Sequence, residues 1–471
     1  MHISCKKIKL EKFTFWLILF LAISTILLFF TINEYKFPIP WDDEASFGLQ
    51  AIAWSESNSL FTSALNNERI IMWMNPAYMI LTGSIYKIFG YSFALSREIS
   101  WVFYIASFLV FAITLRPHVS WPSILILAAV FLIPSSLASG NLARMESVEI
   151  FLSALILYCL FRKRFILAFA ILLFSGLFHF NALYLSIPIL FTFLIKYRNT
   201  RSFKVLMTNW WELLALGISV IFVLIYFYFV FHNLDAFRDD MAYQFSRKFG
   251  RIPFYESKKS LVIIIAICAM IILSFLKNNF FLTVLSLFSL SFFMTYAIGQ
   301  EMWYSIFCNL SFGLIGIVIL NLLPTKKFLI LFSSFSIIFL NFLHAGYSFA
   351  GMKPAPSIDS YIDSETAEII EKQILLLAKA DTEKKVTVSF MSRGVGMMFY
   401  PFLKMNNLQL RHKLPDQITP DFSSDICVYI TRPYDPSWLE AALEGPPTNN
   451  VCKVGWIVSN TNGDVRVYRS N

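Results

Sequence analysis

Apolar residues run in long blocks through the first three quarters of the chain, separated by short polar interruptions. Such blocks have the length of membrane-crossing helices, whereas soluble amphipathic helices would alternate with a period near 3.6. The first block, 13–32, follows a basic leader carrying Lys6, Lys7, Lys9 and Lys12. At about 20 residues it spans about 30 Å, and with no small-residue cleavage site after it, it predicts an uncleaved anchor. Further spans are predicted at 100–115, 121–137, 148–161, 165–178, 182–195, 210–231, 261–276, 280–298, 303–323 and 328–345. That makes about eleven crossings by hydropathy.

The stretch 72–90 decides the topology. It is interrupted by Asn75, Pro76 and Lys87, leaving about 14 residues or roughly 21 Å of helix, which is short for a crossing. Read as an interfacial helix, it puts Arg162, Lys163 and Arg164, and later Lys196, Arg198, Arg201 and Lys204, on the cytoplasmic side. That choice satisfies the positive-inside rule, and a crossing would violate it. The N-terminus is then cytoplasmic, and polar residues gather in four outer segments, 33–97, 139–146, 232–259 and 299–302.

Composition agrees with this reading. With 57% hydrophobic and 15% charged residues, the chain is far from the roughly 25% charged residues of a soluble domain. A net charge of +9 suits basic inner loops on an anionic leaflet and gives no reason to invoke nucleic acid. After residue 350 the pattern changes. Ser364 can cap a helix with Ala367, Ile370, Ile374 and Leu377 on one face, and 386–390, 426–430 and 465–468 read as strands. The fold class is therefore mainly α: a polytopic helical bundle over 1–350 with interfacial helices, and a small extracytoplasmic α/β domain over 351–471. Gly394 and Gly396 read as a turn after the first strand. Cys427 and Cys452 share this domain and could pair outside the cytoplasm.

Charge is costly in such a chain, so Asp42, Asp43 and Glu44 directly after the first span stand out as a functional site. The alternative is a solvated loop that caps a helix starting at Ala45. A second outer cluster, Arg144, Glu146 and Glu149, precedes an apolar run, which places Glu146 near a helix start where the macrodipole favours an anion. The third outer segment holds Asp235, Asp239, Asp240, Arg247, Lys248 and Arg251, and the fourth leads into Trp303 and Tyr304.

Taken in order, these features resemble a known family. An acidic pair follows the first span, and Asn75-Pro76-Ala77-Tyr78 leads a helix ending at Phe89-Gly90. Then come Ala94-Leu95-Ser96-Arg97 opening a span, Ala143-Arg144-Met145-Glu146 after the next, and a late Trp303-Tyr304. The pattern is similar to the GT-C glycosyltransferases, in the branch of the lipid A aminoarabinose transferases and protein O-mannosyltransferases. The resemblance implies a polyprenyl-phosphate-sugar donor, a glycan, lipid or protein acceptor in the cell envelope, and inversion by single displacement. By match Asp43 is the base, with Glu44 beside it and Glu146 facing the site. Where relatives carry a basic residue before Pro-Pro, this chain has Met74-Asn75-Pro76, so that a phosphate-facing cation would come from Arg69, Arg144, Arg247 or Arg251, with Asp42 and Tyr304 as further substrate contacts. Some relatives need a metal; Asp43 and Glu146 could share a divalent ion. A bacterial inner membrane is the expected setting.

A transporter is the main rival, and a non-enzymatic envelope scaffold is another. A transporter calls for ionisable residues near the midplane of the spans, and the spans read above offer His179 at an outer end and Glu212 at an inner one.

Overall fold

The first helix, α1 (His2–Asn33), is followed by α2 (Asp42–Ser57), α3 (Pro76–Phe89), α4 (Phe93–Leu115), α5 (Trp121–Leu132), α6 (Pro134–Gly140), α7 (Glu146–Phe161) and α8 (Phe165–Gly176). A 3-10 turn, Phe180–Leu185, leads to α9 (Ser186–Thr200), α10 (Trp210–His232), α11 (Leu234–Phe249), α12 (Lys258–Leu276), α13 (Phe280–Gly299) and α14 (Ser305–Leu322). This is a computed structural model, and it describes residues 2–34, 42–61, 72, 75–200, 209–249, 258–299, 304–322, 364–378, 386–390, 393–411, 425–430, 454–460 and 463–469. The expected span 328–345 lies outside these residues.

The chain is a multi-pass membrane protein. Five described helices are long and apolar enough to cross a bilayer: Phe13–Asn33, Phe93–Leu115, Trp210–His232, Phe280–Ala297 and Ser305–Leu322. Phe165–Gly176, Phe180–Ile195 and Ile263–Leu276 are apolar but shorter. The expected span 121–137 is not one straight helix, because α5 and α6 meet at 64°. The break falls at Ile133, which is extended (φ −62°, ψ 134°) ahead of Pro134 at the first position of α6. A residue before proline is pushed out of helical geometry, which is the physical reason for the bend. Polar groups near the break find partners on α14. Ser305 Oγ donates to the Ser135 carbonyl at 2.8 Å, and Asn309 Nδ2 donates to Ser135 Oγ at 3.0 Å and Ser136 Oγ at 2.7 Å. Backbone opened inside an apolar bundle needs such partners.

The stretch 72–90, expected as an interfacial helix, holds α3, which packs along α2. Gly83 makes the close approach; a Cβ there would lie 2.4 Å from the Ala51 carbonyl oxygen and 2.9 Å from Trp54 Cδ1. The acidic stretch is not a loop preceding a helix at Ala45. Helix α2 starts at Asp42, where three acids in the first turn complement the exposed N–H groups and the helix dipole.

Beyond the bundle lie α15 (Ser364–Ala378), β1 (Thr387–Phe390), α16 (Arg393–Met405), β2 (Gln409–Leu410), β3 (Ile426–Ile430), β4 (Val454–Asn460) and β5 (Gly463–Arg469). The strands form one mixed sheet in the order β2-β1-β3-β5-β4, with β1 parallel to both β2 and β3 and the β5 pairings antiparallel. On α15, Ile370, Ile374 and Leu377 are buried as their spacing predicts. Gly394 and Gly396 sit within the first turn of α16 rather than in a free turn. That helix buries Met397, Phe399 and Leu403, and burial of this face outweighs the cost of two glycines. Met397, Phe399, Ile426 and Val428 share one apolar core with Phe47, Leu49 and Ile52 of α2. The helix that carries the acids is thus packed against the C-terminal elements. Cys427 is on β3, while its side chain and Cys452 lie outside the described residues.

Candidate active site

The acids of α2 meet two arginines from distant parts of the chain. Glu44 is buried, and both its oxygens are engaged. Oε1 accepts from Arg97 Nε at 3.0 Å and from the Ala143 backbone N–H at 2.8 Å, and Oε2 accepts from Arg97 Nη2 at 2.8 Å. Arg97, fully buried near the start of α4, also donates through Nη1 to the Glu34 carbonyl at 2.7 Å. A two-pronged guanidinium–carboxylate contact is the strong form of this pairing, and here it ties α2, α4 and the end of α1 together.

Arg144 forms the second junction. It lies in the loop between α6 and α7, which Asn141 anchors by donating to the Asn33 carbonyl at 2.8 Å and accepting from Trp101 Nε1 at 2.7 Å. Its Nη1 donates to Asp43 Oδ2, and its Nη2 and Nε reach Glu146 Oε1 at 3.1 Å and Oε2 at 3.2 Å. The guanidinium also sits over the Phe47 ring, 5.2 Å from its centroid. Burial works against its charge, but Glu146 and Asp43 more than compensate and drive its pKa further above the ordinary arginine value. Glu146 opens α7, as its position before an apolar run suggests.

Exposure separates the carboxylates. The Asp43 side chain is 20% exposed, against 1% for Glu44, 1% for Glu146 and 2% for Glu149. Asp43 alone of these four offers an oxygen to something arriving from outside.

A third group adjoins the second. Glu149, one turn along α7, places Oε2 at 3.1 Å from His179 Nδ1, and His179 Nε2 lies 3.0 Å from the Tyr304 hydroxyl. Tyr304 is close enough to Arg144 to act on it electrostatically. The structure therefore gathers Asp43, Glu44, Arg144, Glu146 and Tyr304 at one end of the bundle. Arg69 and Arg251 lie outside the described residues, as do the side chains of Asp42 and Arg247. Helix α11, which carries Arg247, meets the stretch before α3, its Asp240 Oδ2 accepting from the Met72 N–H at 2.5 Å.

Sequence reasoning noted Arg97, Glu149 and His179 without giving them a site. The signal was available, since a charge inside an apolar run requires a partner. Asp43 and Glu146 both face the Arg144 guanidinium, and among the described residues no group of three His, Cys, Asp or Glu side chains is placed to hold a metal ion.

A multi-pass helical bundle with an acidic helix after its first span and a mixed sheet beyond it is a fold found in solved membrane proteins. Two solved structures are similar over nearly the whole length, both of ArnT from Cupriavidus metallidurans. The apo structure matches at a TM-score of 0.56 and 11% identity, covering 96% of this chain and 97% of that one. The structure bound to undecaprenyl phosphate matches at 0.55 and 11% identity, covering 95% and 97%. No protein-family model and no curated protein sequence matches the chain, so the likeness is one of fold.

Proposed function

We propose that the chain is an inverting glycosyltransferase that moves a sugar from a polyprenyl phosphate to an envelope glycan, lipid or protein on the extracytoplasmic face of a bacterial inner membrane. The observation that carries this reading is the access of Asp43, the one carboxylate of the buried acid–arginine cluster that an incoming hydroxyl could meet. The ArnT neighbour bound to undecaprenyl phosphate supports a lipid phosphate as the other partner.

In this reading Asp43 removes the proton from the acceptor as its oxygen attacks the anomeric carbon, and the lipid phosphate departs from the opposite face. Arg144 is the nearest described cation for the charge developing on that phosphate. When the phosphate draws the guanidinium toward itself, it loosens the Arg144–Asp43 contact and leaves Asp43 able to take the proton. Glu146 keeps Arg144 in place through this exchange. Glu44, with both oxygens committed, holds α2 rather than reacting. The described cluster counts Asp43, Glu44, Glu146 and Glu149 against Arg97 and Arg144, so a phosphate needs further positive charge, which we assign to Arg69, Arg247 and Arg251. Tyr304 supplies a hydrogen bond from the bundle side.

The test is transfer from labelled polyprenyl-phosphate sugars to an envelope extract, in membranes carrying wild type or Asp43→Asn. Loss of transfer at equal protein level supports the reading. Equal transfer removes Asp43 from the role of base, and no transfer by wild type across a broad donor panel removes the proposed reaction.

A further inference from the structure

At the end of the bundle away from the acid–arginine cluster, three turns come together: 116–120 between α4 and α5, 162–164 between α7 and α8, and 277–279 between α12 and α13. Helix α4 carries Arg97 near its start and runs 23 residues, which puts its two ends about 34 Å apart, close to the thickness of a bilayer core. The turns meet through rings. His118 stacks on Phe281 at 4.5 Å and lies 5.3 Å from Phe161, and Phe161 and Phe281 are themselves 4.5 Å apart. These turns carry Arg116, Arg162, Lys163, Arg164 and Lys277, all exposed except the half-buried Arg116. Trp121, which opens α5, and Trp210 and Trp211, which open α10, are exposed as well, as tryptophans at the depth of lipid headgroups are.

Little at this end answers the positive charge. Among the described residues the acid that approaches is Glu212, half-buried at the start of α10, which acts with Arg164 on Cys159. None of the five cations forms an ion pair among the described residues. Instead Arg116 lies over the Phe15 ring at 4.3 Å and Arg162 over the Tyr158 ring at 5.5 Å, so both guanidiniums are oriented by rings that leave their charge in place. Lys277 Nζ donates to the Leu322 carbonyl at the end of α14, at 3.0 Å. Cations at helix C-termini complement the dipole, and that accounts for Arg116, Arg162 and Lys277. It does not account for Lys163. That residue is left-handed, at φ +60°, where α7 is closed by the Lys163 N–H on the Leu160 carbonyl and the Arg164 N–H on the Cys159 carbonyl. Glycine fits such a position without strain, so the chain keeps a lysine there against the local preference of the backbone.

We propose that these turns form a site for the headgroup of an anionic phospholipid in the leaflet at that end, with Arg162, Lys163 and Arg164 on its phosphate and the Phe161–His118–Phe281 stack beneath its glycerol. Uncompensated cations between membrane helices, at headgroup depth, suit a lipid phosphate. A free anion in solution would have no use for the rings or the tryptophans. The site shares no residue with the proposed transfer reaction, so either can fail without the other.

The test uses the full chain in dodecyl maltoside micelles, titrated with phosphatidylglycerol, phosphatidylcholine and inorganic phosphate, with bound lipid counted by native mass spectrometry. Phosphatidylglycerol should bind more tightly than phosphatidylcholine by about tenfold or more, and inorganic phosphate should not displace it. Lys163→Gly and Arg162→Gln should each weaken phosphatidylglycerol binding by about fivefold, the scale of one basic side chain near an anionic surface. Lys372→Gln, which removes an exposed cation from α15, should leave it unchanged. In lipid-free micelles Lys163→Gly should resist unfolding by sodium dodecyl sulfate at least as well as wild type, which separates its lost affinity from damage to the fold. Equal binding of phosphatidylcholine, displacement by inorganic phosphate, wild-type affinity in Lys163→Gly, easier unfolding of that variant, or the same loss in Lys372→Gln would each overturn the proposal.

Discussion

Arg97→Met should be among the most destabilising substitutions available in this protein. Arg97 is fully buried and the Glu44 side chain is 1% exposed, so removing the guanidinium strands a carboxylate inside the packing. Breaking a buried pair from one side costs about 3–5 kcal/mol. The Ala143 N–H still reaches Glu44 at 2.8 Å, which moves the expectation to the lower half of that range. Arg97→Lys keeps the charge but cannot supply Nε, Nη1 and Nη2 together, and loss of one or two charge-assisted contacts costs about 1.5–3 kcal/mol each at most. The informative variant is the double one, Arg97→Met with Glu44→Met. It removes both charges and leaves chiefly the Ala143 N–H without its acceptor, a cost of about 1–3 kcal/mol. Its destabilisation should therefore be smaller than the sum of the two single variants by a few kcal/mol. Unfolding of purified protein in mixed detergent with increasing sodium dodecyl sulfate, followed by tryptophan fluorescence, measures all four members of the cycle. Wild-type stability in Arg97→Met, or a double variant as damaged as the sum of the singles, would refute the assignment of this pair as the anchor of α2.

Arg144→Lys should lower sugar transfer by about 100-fold with little change in expression, because one ammonium cannot bridge Asp43 and Glu146 as the guanidinium does; the transfer assay in membranes checks it. Gly83→Ala places a methyl 2.4 Å from the Ala51 carbonyl oxygen and should cost about 1–3 kcal/mol by forcing α2 and α3 apart. Gly217→Ala on α10, which meets nothing within 4 Å, should be neutral or better in the same sodium dodecyl sulfate unfolding series. His118, between α4 and α5, has its pKa lowered from the ordinary 6.5 by partial burial and then by Arg162. The unfolded chain binds the proton more readily, so the contribution to stability is complete above about pH 6.5 and is lost as the pH falls through the lower folded value. Unfolding midpoints measured from pH 7.5 to 5 should fall, and His118→Phe, which keeps a ring against Phe161 and Phe281, should flatten the slope.

How much of this was legible in the sequence depends on range. Asp43 and Glu44 could be picked out because carboxylates are rare in so apolar a chain, and Glu146 because an acid heads an apolar run. The helix after Ser364 and the strands at 386–390 and 426–430 showed local periodicity, which needs no partner to be recognised. What joins the site was not local. Glu44 meets Arg97 across 53 positions, Asp43 meets Arg144 across 101, and His179 meets Tyr304 across 125. No pattern of hydrophobicity carries pairings of that separation. The bend at Pro134 was hidden for a different reason: a hydropathy window averages through a proline that the backbone cannot ignore. The glycines of α16 misled in the opposite sense, since their local preference for a turn yielded to the apolar face that follows them.

The position of Asp43 follows from how completely its helix is restrained. At its N-terminal end α2 is tied by Arg97 and Arg144, and along its middle by the close approach of α3 at Gly83. Toward its other end Glu56 meets Lys404 at 2.5 Å and the Tyr400 hydroxyl at 3.3 Å, both from α16. The Lys404 and Glu56 side chains are 62% and 45% exposed, so this pair adds little by itself. The join is made instead by Phe47, Leu49 and Ile52 in a common core with Met397 and Phe399, and by the Tyr91 hydroxyl donating to the Met397 carbonyl at 3.3 Å. A side chain that must meet a substrate within a few tenths of an ångström is best carried by an element fixed on several sides. On that argument the C-terminal elements belong to the scaffold of the site: they hold in place the helix from which Asp43, the most exposed carboxylate of the described acid–arginine cluster, projects.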